Sequence, residues 1–220
     1  MNLEALRTQF REEADDKIAP YLFSDDQILA WLNEAEDEAA ARARLLTEYS
    51  DPAICSITVT ANQSTYATHE AVLDITRAAF TPTGGDSTVL FITDRTELDR
   101  IKPDWRTSTD EPEYLVQDDT KVQIVPTPTV AGSLAIECNR LPITPMASDA
   151  DTPEIARAHH RYLVHWALHR AFSLPDTETV DPKKAASGEA AFTAYFGIRP
   201  DADTRKATQA NRPHHNQTHW

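Results

Sequence analysis

The apolar residues at the start of the chain repeat at helical spacing. Leu3, Leu6 and Phe10 stand at i, i+3 and i+7, which predicts a short helix over roughly residues 2–16 with one buried stripe. Pro20 ends it, and Tyr21-Leu22-Phe23 reads as an apolar connector. Ser24 with Gln27 three residues on is a capping box. Asp25 and Asp26 fall in the first turn, where the helix dipole favours negative charge. Ile28, Leu32, Ala35, Ala39, Ala43 and Leu46 then recur in steps of three and four. They predict a second helix running to about Tyr49, with Glu34, Glu36, Asp37 and Glu38 away from the apolar face. Its alanines permit close approach of a neighbouring helix.

Asp51-Pro52 breaks the pattern, and the following residues turn to Thr, Val, Ile and aromatics. Ile57 and Val59 alternate with Thr58 and Thr60. Residues 72–75, 89–92 and 134–138 read as strands, and Gly84-Gly85-Asp86 as a turn. Residues 114–116 and 122–125 flank Asp118-Asp119-Thr120 as a hairpin candidate. Residues 96–101 read as a short helix before Pro103. Thr152-Pro153-Glu154 predicts the start of a third helix, with Thr as cap and Pro at the first helical position. That helix reaches about Ser173, with Ile155, Tyr162, Leu163, Trp166, Ala167 and Phe172 on its apolar side. Asp181-Pro182 opens a fourth in the same way, and Gly197 closes it.

The expected fold class is α+β. Residues 1–51 and 151–197 supply a four-helix bundle from both termini, and residues 52–150 an inserted, mainly antiparallel β-domain. Residues 198–220 form an extended C-terminal arm. Ile28, Leu32, Ala35, Tyr162 and Trp166 are the candidate bundle core.

Composition narrows the function. Leu, Ile, Val and Phe make up a fifth of the 220 residues, a content at which a highly charged chain has little apolar surface to bury. A modest core helped by partners is expected. The net charge of -14 opposes sequence-specific nucleic-acid binding. Five glycines, with Gly84-Gly85 the sole adjacent pair, fit neither a P-loop nor a dinucleotide fingerprint. No apolar run is long enough for a membrane span, and the N-terminus lacks the pattern of a signal peptide. Cys55 and Cys138 lie in strand-like segments and read as buried thiols in a reducing compartment, not as a disulfide framework. The charge is uneven. Residues 1–197 carry net -16, whereas Arg199, Arg205, Lys206 and Arg212 against Asp201 and Asp203 leave the tail at +2. Such a tail reads either as a loose terminus or as an arm that orders on an acidic partner, with Trp220 as an anchor.

Catalytic signals are weak. His159, His160, His165 and His169 crowd one segment, and His165 and His169 at i, i+4 share a helical face. His165 is followed by Trp166, so the zincin pattern is absent, and no third ligand is visible nearby. No nucleophile motif surrounds any Ser or Cys. The expectation is a non-enzyme without metal or cofactor.

Several stretches resemble tailed-phage head-to-tail adaptor (connector) proteins. They are Leu6 through Arg11, Asp15-Asp16, Pro20 through Asp25, Trp31 through Ala35 and Glu38-Ala39-Ala40. Pro153-Glu154-Ile155, His159-His160, Leu163-Val164, Trp166 through Ala171 and Ala191-Phe192 through Phe196-Gly197 match the same pattern. The middle is matched in layout alone, through Trp105, Pro112-Glu113-Tyr114 and Pro126-Thr127-Pro128. The resemblance, similar in role to the tail tubular protein A of podophages, implies a structural virion protein made in the host cytoplasm. It implies a ring of twelve copies in the neck, between the portal protein and a tail or nozzle protein. Viral DNA would pass through its lumen, and an acidic body suits such a channel. The arm, through Arg199, Arg205, Lys206, Arg212 and Trp220, would pack against the portal. A neck stopper or head-completion protein is the alternative, and a metal-dependent enzyme using the His-rich helix a remoter one.

Overall fold

The computed structural model describes residues 1–175 and 180–200. In chain order its helices are α1 (Leu3–Ala14), α2 (Asp25–Ala43), α3 (Pro52–Cys55), α4 (Arg95–Ile101), α5 (Leu163–Phe172) and α6 (Pro182–Phe196). Its strands are β1 (Thr47–Glu48), β2 (Ser56–Val59), β3 (Thr65–Ala67), β4 (Val72–Pro82), β5 (Thr88–Ile92), β6 (Tyr114–Gln117), β7 (Lys121–Val125) and β8 (Gly132–Arg140). A 3-10 turn, Arg157–Tyr162, leads into α5. The class is α+β, and the chain divides into two compact units. A helical unit comprises Met1–Leu46 and Arg140–Arg199, and a β unit comprises Thr47–Asn139.

In the helical unit α1 buries Leu3, Leu6, Phe10 and Ala14, its predicted stripe extended by one turn. Asn2 caps it by accepting from the Ala5 amide at 3.2 Å. The Ser24–Gln27 capping box is formed in both directions and starts α2. Ile28, Leu32, Ala35 and Ala39 of α2 are fully buried in one cluster with Leu163, Val164, Ala167, Ala171 and Phe192. Each large side chain taken out of water here contributes about 1.5–3 kcal/mol. Small residues set the helix spacing: a Cβ added at Gly188 of α6 would lie 2.7 Å from the His165 carbonyl oxygen and 2.9 Å from the His169 amide nitrogen. Only a residue without a side chain permits that approach. Asp181 caps α6 as expected, accepting from the Lys183 and Lys184 amides, and Gly197 ends it at φ 89°.

Two predicted helix boundaries are corrected. The second helix stops at Ala43 and does not continue to Tyr49. Arg44 takes the left-handed conformation (φ 51°), and Thr47–Glu48 pair with β8 instead. The third helix does not begin at Thr152-Pro153-Glu154. Those residues are irregular because their polar groups are used elsewhere. The Glu154 carboxylate accepts from the Ile143 and Thr144 amides and from Arg140. The Asp151 carbonyl accepts from Leu3. Regular α-helix starts at Leu163.

The β unit is a curled eight-stranded sheet in the order β1-β8-β4-β5-β6-β7-β3, with β2 also on β8. The expected β6–β7 hairpin is present, with Leu115 opposite Ile124. The pairing is mainly antiparallel, as read from the sequence. β5 and β6 run parallel and pair Phe91 with Tyr114. Cys55 is buried at the end of the short helix α3, not in a strand, and Cys138 is buried in β8. Phe80, Leu90, Leu115, Val122, Ile124, Leu134 and Ile136 form the main core of this unit. A Cβ on Gly132 would stand 2.3 Å from the Thr81 carbonyl oxygen, so glycine is required where β8 begins beside the end of β4.

Candidate functional site

The candidate residues fall into two groups. Ile28, Leu32 and Ala35 project from one face of α2 and are fully buried, and Trp166 of α5 is buried in the same cluster. Tyr162, in the last position of the 3-10 turn, is half-buried and packs against that cluster from its edge. Of the arm residues, Arg199 is described, and Arg205, Lys206, Arg212 and Trp220 lie outside the described residues. Arg199 is exposed and sits 3.4 Å from the Glu38 carboxylate of its own chain.

Glu38 belongs to a buried network at the C-terminal end of α6. It pairs with Arg42 one helical turn on, at 2.8 Å, and both side chains are nearly closed to solvent. The Arg42 guanidinium donates to the Thr193 hydroxyl at 2.9 Å and to the Gly197 carbonyl at 3.2 Å. It also lies 5.1 Å from the Trp166 and Phe192 ring centroids. One cation thus ties α2 to α5, to α6 and to the carbonyl that closes α6. The i, i+4 Glu–Arg spacing was visible in the sequence, but nothing there showed that it turns inward.

A second group of polar side chains holds the irregular segment after β8. Asn33 of α2 exchanges two hydrogen bonds of 3.0 Å with the backbone of Met146. Glu36 accepts from the Ile155 amide at 3.2 Å. Asp151 accepts from the Ala147 and Ser148 amides. These carboxylates and the amide do for an irregular chain what ladder bonds do for a strand. Asn33, Glu36, Asp37, Pro142 and Pro145 line a 160 Å³ cavity there. Burial pushes the Glu36 carboxyl up to about 6, with Glu154 and Asp37 adding like charge, against the lowering pull of backbone hydrogen bonds. Glu154 is held below the usual range: burial raises it, but hydrogen bonds from Thr144, Arg140 and Ile143 together outweigh that.

The histidines are spent on packing. His160 is buried and donates from Nε2 to the Ile155 carbonyl at 2.8 Å. His169 donates from Nδ1 to the Ala185 carbonyl at 3.1 Å. His165 stands 3.9 Å from Glu13 at the edge of a 370 Å³ cleft lined also by Leu168, Phe172, Lys184 and Ser187. Among the described residues no three His, Cys, Asp or Glu side chains are placed to share a metal ion. No described helix is long and apolar enough to cross a membrane. The arrangement offers packing faces and salt-bridged surfaces, which suit a protein that joins others.

Comparison with known proteins agrees with that character. No curated protein matches the chain. A family model described as SU10 adaptor protein matches residues 1–215, covering both units and the histidine-rich segment. With nearly its whole length matched, the chain belongs to the SU10 adaptor protein family, a family of phage structural adaptors.

Proposed function

We propose that this protein forms a head-to-tail adaptor ring, of twelve copies, in the neck of a tailed-phage virion. It joins the portal to the tail or nozzle, and viral DNA passes through its lumen without sequence-specific contact. In this reading α1, α2, α5 and α6 act as a four-helix bundle in the ring, the β unit is the inserted domain toward the tail, and residues 198–220 are the portal-docking arm. The chain is structural and carries out no catalysis. The observation that carries the reading is the family match over residues 1–215. The uneven charge supports it: net -16 over residues 1–197 against +2 beyond. Like charge along a lumen weakens phosphate attraction. A basic tail bearing a terminal Trp220 suits an acidic surface with a pocket.

The test is deletion of residues 200–220, which leaves Arg199 and its bond to Glu38 in place. The truncated protein is expected to melt like the full chain yet fail to join portal-bearing heads. Truncated protein that still completes infectious particles would show that these residues do not dock.

A further inference from the structure

Most arginines described here are occupied. Arg7, Arg11, Arg42, Arg77, Arg95, Arg100, Arg106, Arg140, Arg170 and Arg199 all meet carboxylates. Arg157 and Arg161 differ. Both are exposed on the 3-10 turn, and neither meets a carboxylate among the described residues. The segment Arg157–Tyr162 holds two arginines and two histidines and no acid, in a chain of net charge -14.

The arginines border an aromatic surface. Arg161 lies over the Tyr162 ring at 5.5 Å. Tyr162 stacks on Tyr195 of α6 with centroids 3.5 Å apart and planes 12° apart. The Tyr195 hydroxyl is 3.1 Å from His159 Nδ1, and Tyr195 remains 40% exposed. Ile198, just past α6, is 82% exposed. Tyrosines rigidly stacked beside free arginines, with an open apolar side chain, have the make-up of a binding hot spot.

The complementary surface is on α1. At 100° per residue Glu4, Thr8 and Glu12 fall on one stripe of α1, opposite the buried Leu3, Leu6, Phe10 and Ala14, and Asp15 follows as the left-handed cap of the helix. Glu4, Thr8, Glu12 and Asp15 are exposed, and the three acids have no cation partner among the described residues. Gln9, on the flank of α1 between stripe and core, donates to the Arg161 carbonyl. The Arg157–Tyr162 turn therefore borders the flank of α1, while the acidic stripe lies on the side of α1 away from its core. Glu4 and Glu12 are about 12 Å apart along the helix axis. Arg157 and Arg161 are separated by about 8 Å along the 3-10 axis. Flexible arginine side chains cover the difference.

We infer that copies of this chain meet through the helical unit, the α1 stripe of one copy facing the Arg157–Arg161–Tyr162–Tyr195 patch of the next. The inference rests on the reading that copies assemble together, and it names the surface. The contact is inferred to be head-to-tail, which propagates beyond a dimer; a two-fold contact in which each stripe meets the other copy's patch would stop at dimers. Its charged rim makes it weaker in salt.

The experiment uses the purified full chain at high concentration and low salt, with a short thiol cross-linker. Thr8→Cys and Ala158→Cys place thiols at exposed positions on the two faces, while Cys55 and Cys138 are buried. The double variant is expected to give a ladder of dimers, trimers and longer species, and each single variant to give none. Arg157→Glu with Arg161→Glu, added to the double variant, should cut the ladder by about tenfold through like-charge repulsion. Adding Glu4→Arg and Glu12→Arg should restore it. Cross-linking that stops at dimers, no ladder, or a ladder indifferent to the charge reversals overturns the inference. These readouts need no particle, so they can fail while the virion assignment stands, and the arm deletion can fail while they succeed.

Discussion

Arg42→Met tests whether the end of α6 is held by one buried cation. The substitution keeps most of the aliphatic volume between Trp166 and Phe192 and removes the bonds to Glu38, Thr193 and Gly197. What remains is a Glu38 carboxylate that is 9% exposed, its nearest cation then Arg199 at 3.4 Å. Removing one partner of a buried pair costs about 3–5 kcal/mol, because the other charge is left in low dielectric. Arg199 relieves part of this, so about 2–4 kcal/mol is expected. Glu38→Gln with Arg42→Met removes both charges and should cost less than the single change, since a buried pair replaced by neutral groups is often close to neutral. Urea unfolding followed by tryptophan fluorescence gives both numbers, with Trp31 and Trp166 reporting on the helical unit. If the single variant loses less than about 0.5 kcal/mol, or the double variant loses more than the single one, the pair is not the buried tie described here.

Three further outcomes follow from the same packing. Leu32→Ala should destabilise by about 2–5 kcal/mol, since Leu32 is fully buried; a melting shift near zero would contradict this. Gly188→Ala should cost about 1–3 kcal/mol through overpacking against α5, and equal stability by urea titration would show that the helices can part at no cost. Glu36 has its folded pKa raised from 4.5 to about 6, so the folded state binds more protons between those values and stability falls as pH rises through that window. Glu36→Gln, which keeps an acceptor for the Ile155 amide, should remove that decline and be more stable than the parent at pH 7 by about 1–2 kcal/mol. Unfolding free energies with the same pH dependence in both proteins would refute the assignment.

What was legible in the sequence was local. The stripe of α1, the capping box at Ser24 and the Asp-Pro start of α6 depend on residues within one or two turns of each other, and they formed as read. The end of α2 was not legible. Ala40 through Leu46 are all compatible with helix, and the stop comes from the pairing of Thr47–Glu48 with residues ninety positions later. Thr152-Pro153-Glu154 had the local chemistry of a helix start, but Glu154 was taken by Arg140, Ile143 and Thr144. The parallel β5–β6 pair was likewise hidden, because α4 and the chain through Trp105 separate the strands in sequence. Of the candidate core, Ile28, Leu32 and Ala35 could be read from their spacing. Nothing local signalled that Tyr162 would be spent on a stack with Tyr195. The inward turn of Glu38 and Arg42 escaped for a similar reason: charged residues at i, i+4 usually mark a solvated face, and only the placement of α5 and α6 buries them.

The most direct test of the adaptor reading is a cryo-EM reconstruction of the virion neck at side-chain resolution. The reading predicts twelve copies of this chain in a ring immediately below the portal, with residues 200–220 ordered against portal subunits and the β unit facing the tail. Density for this chain in a layer that does not touch the portal, or a neck without it, would contradict that assignment.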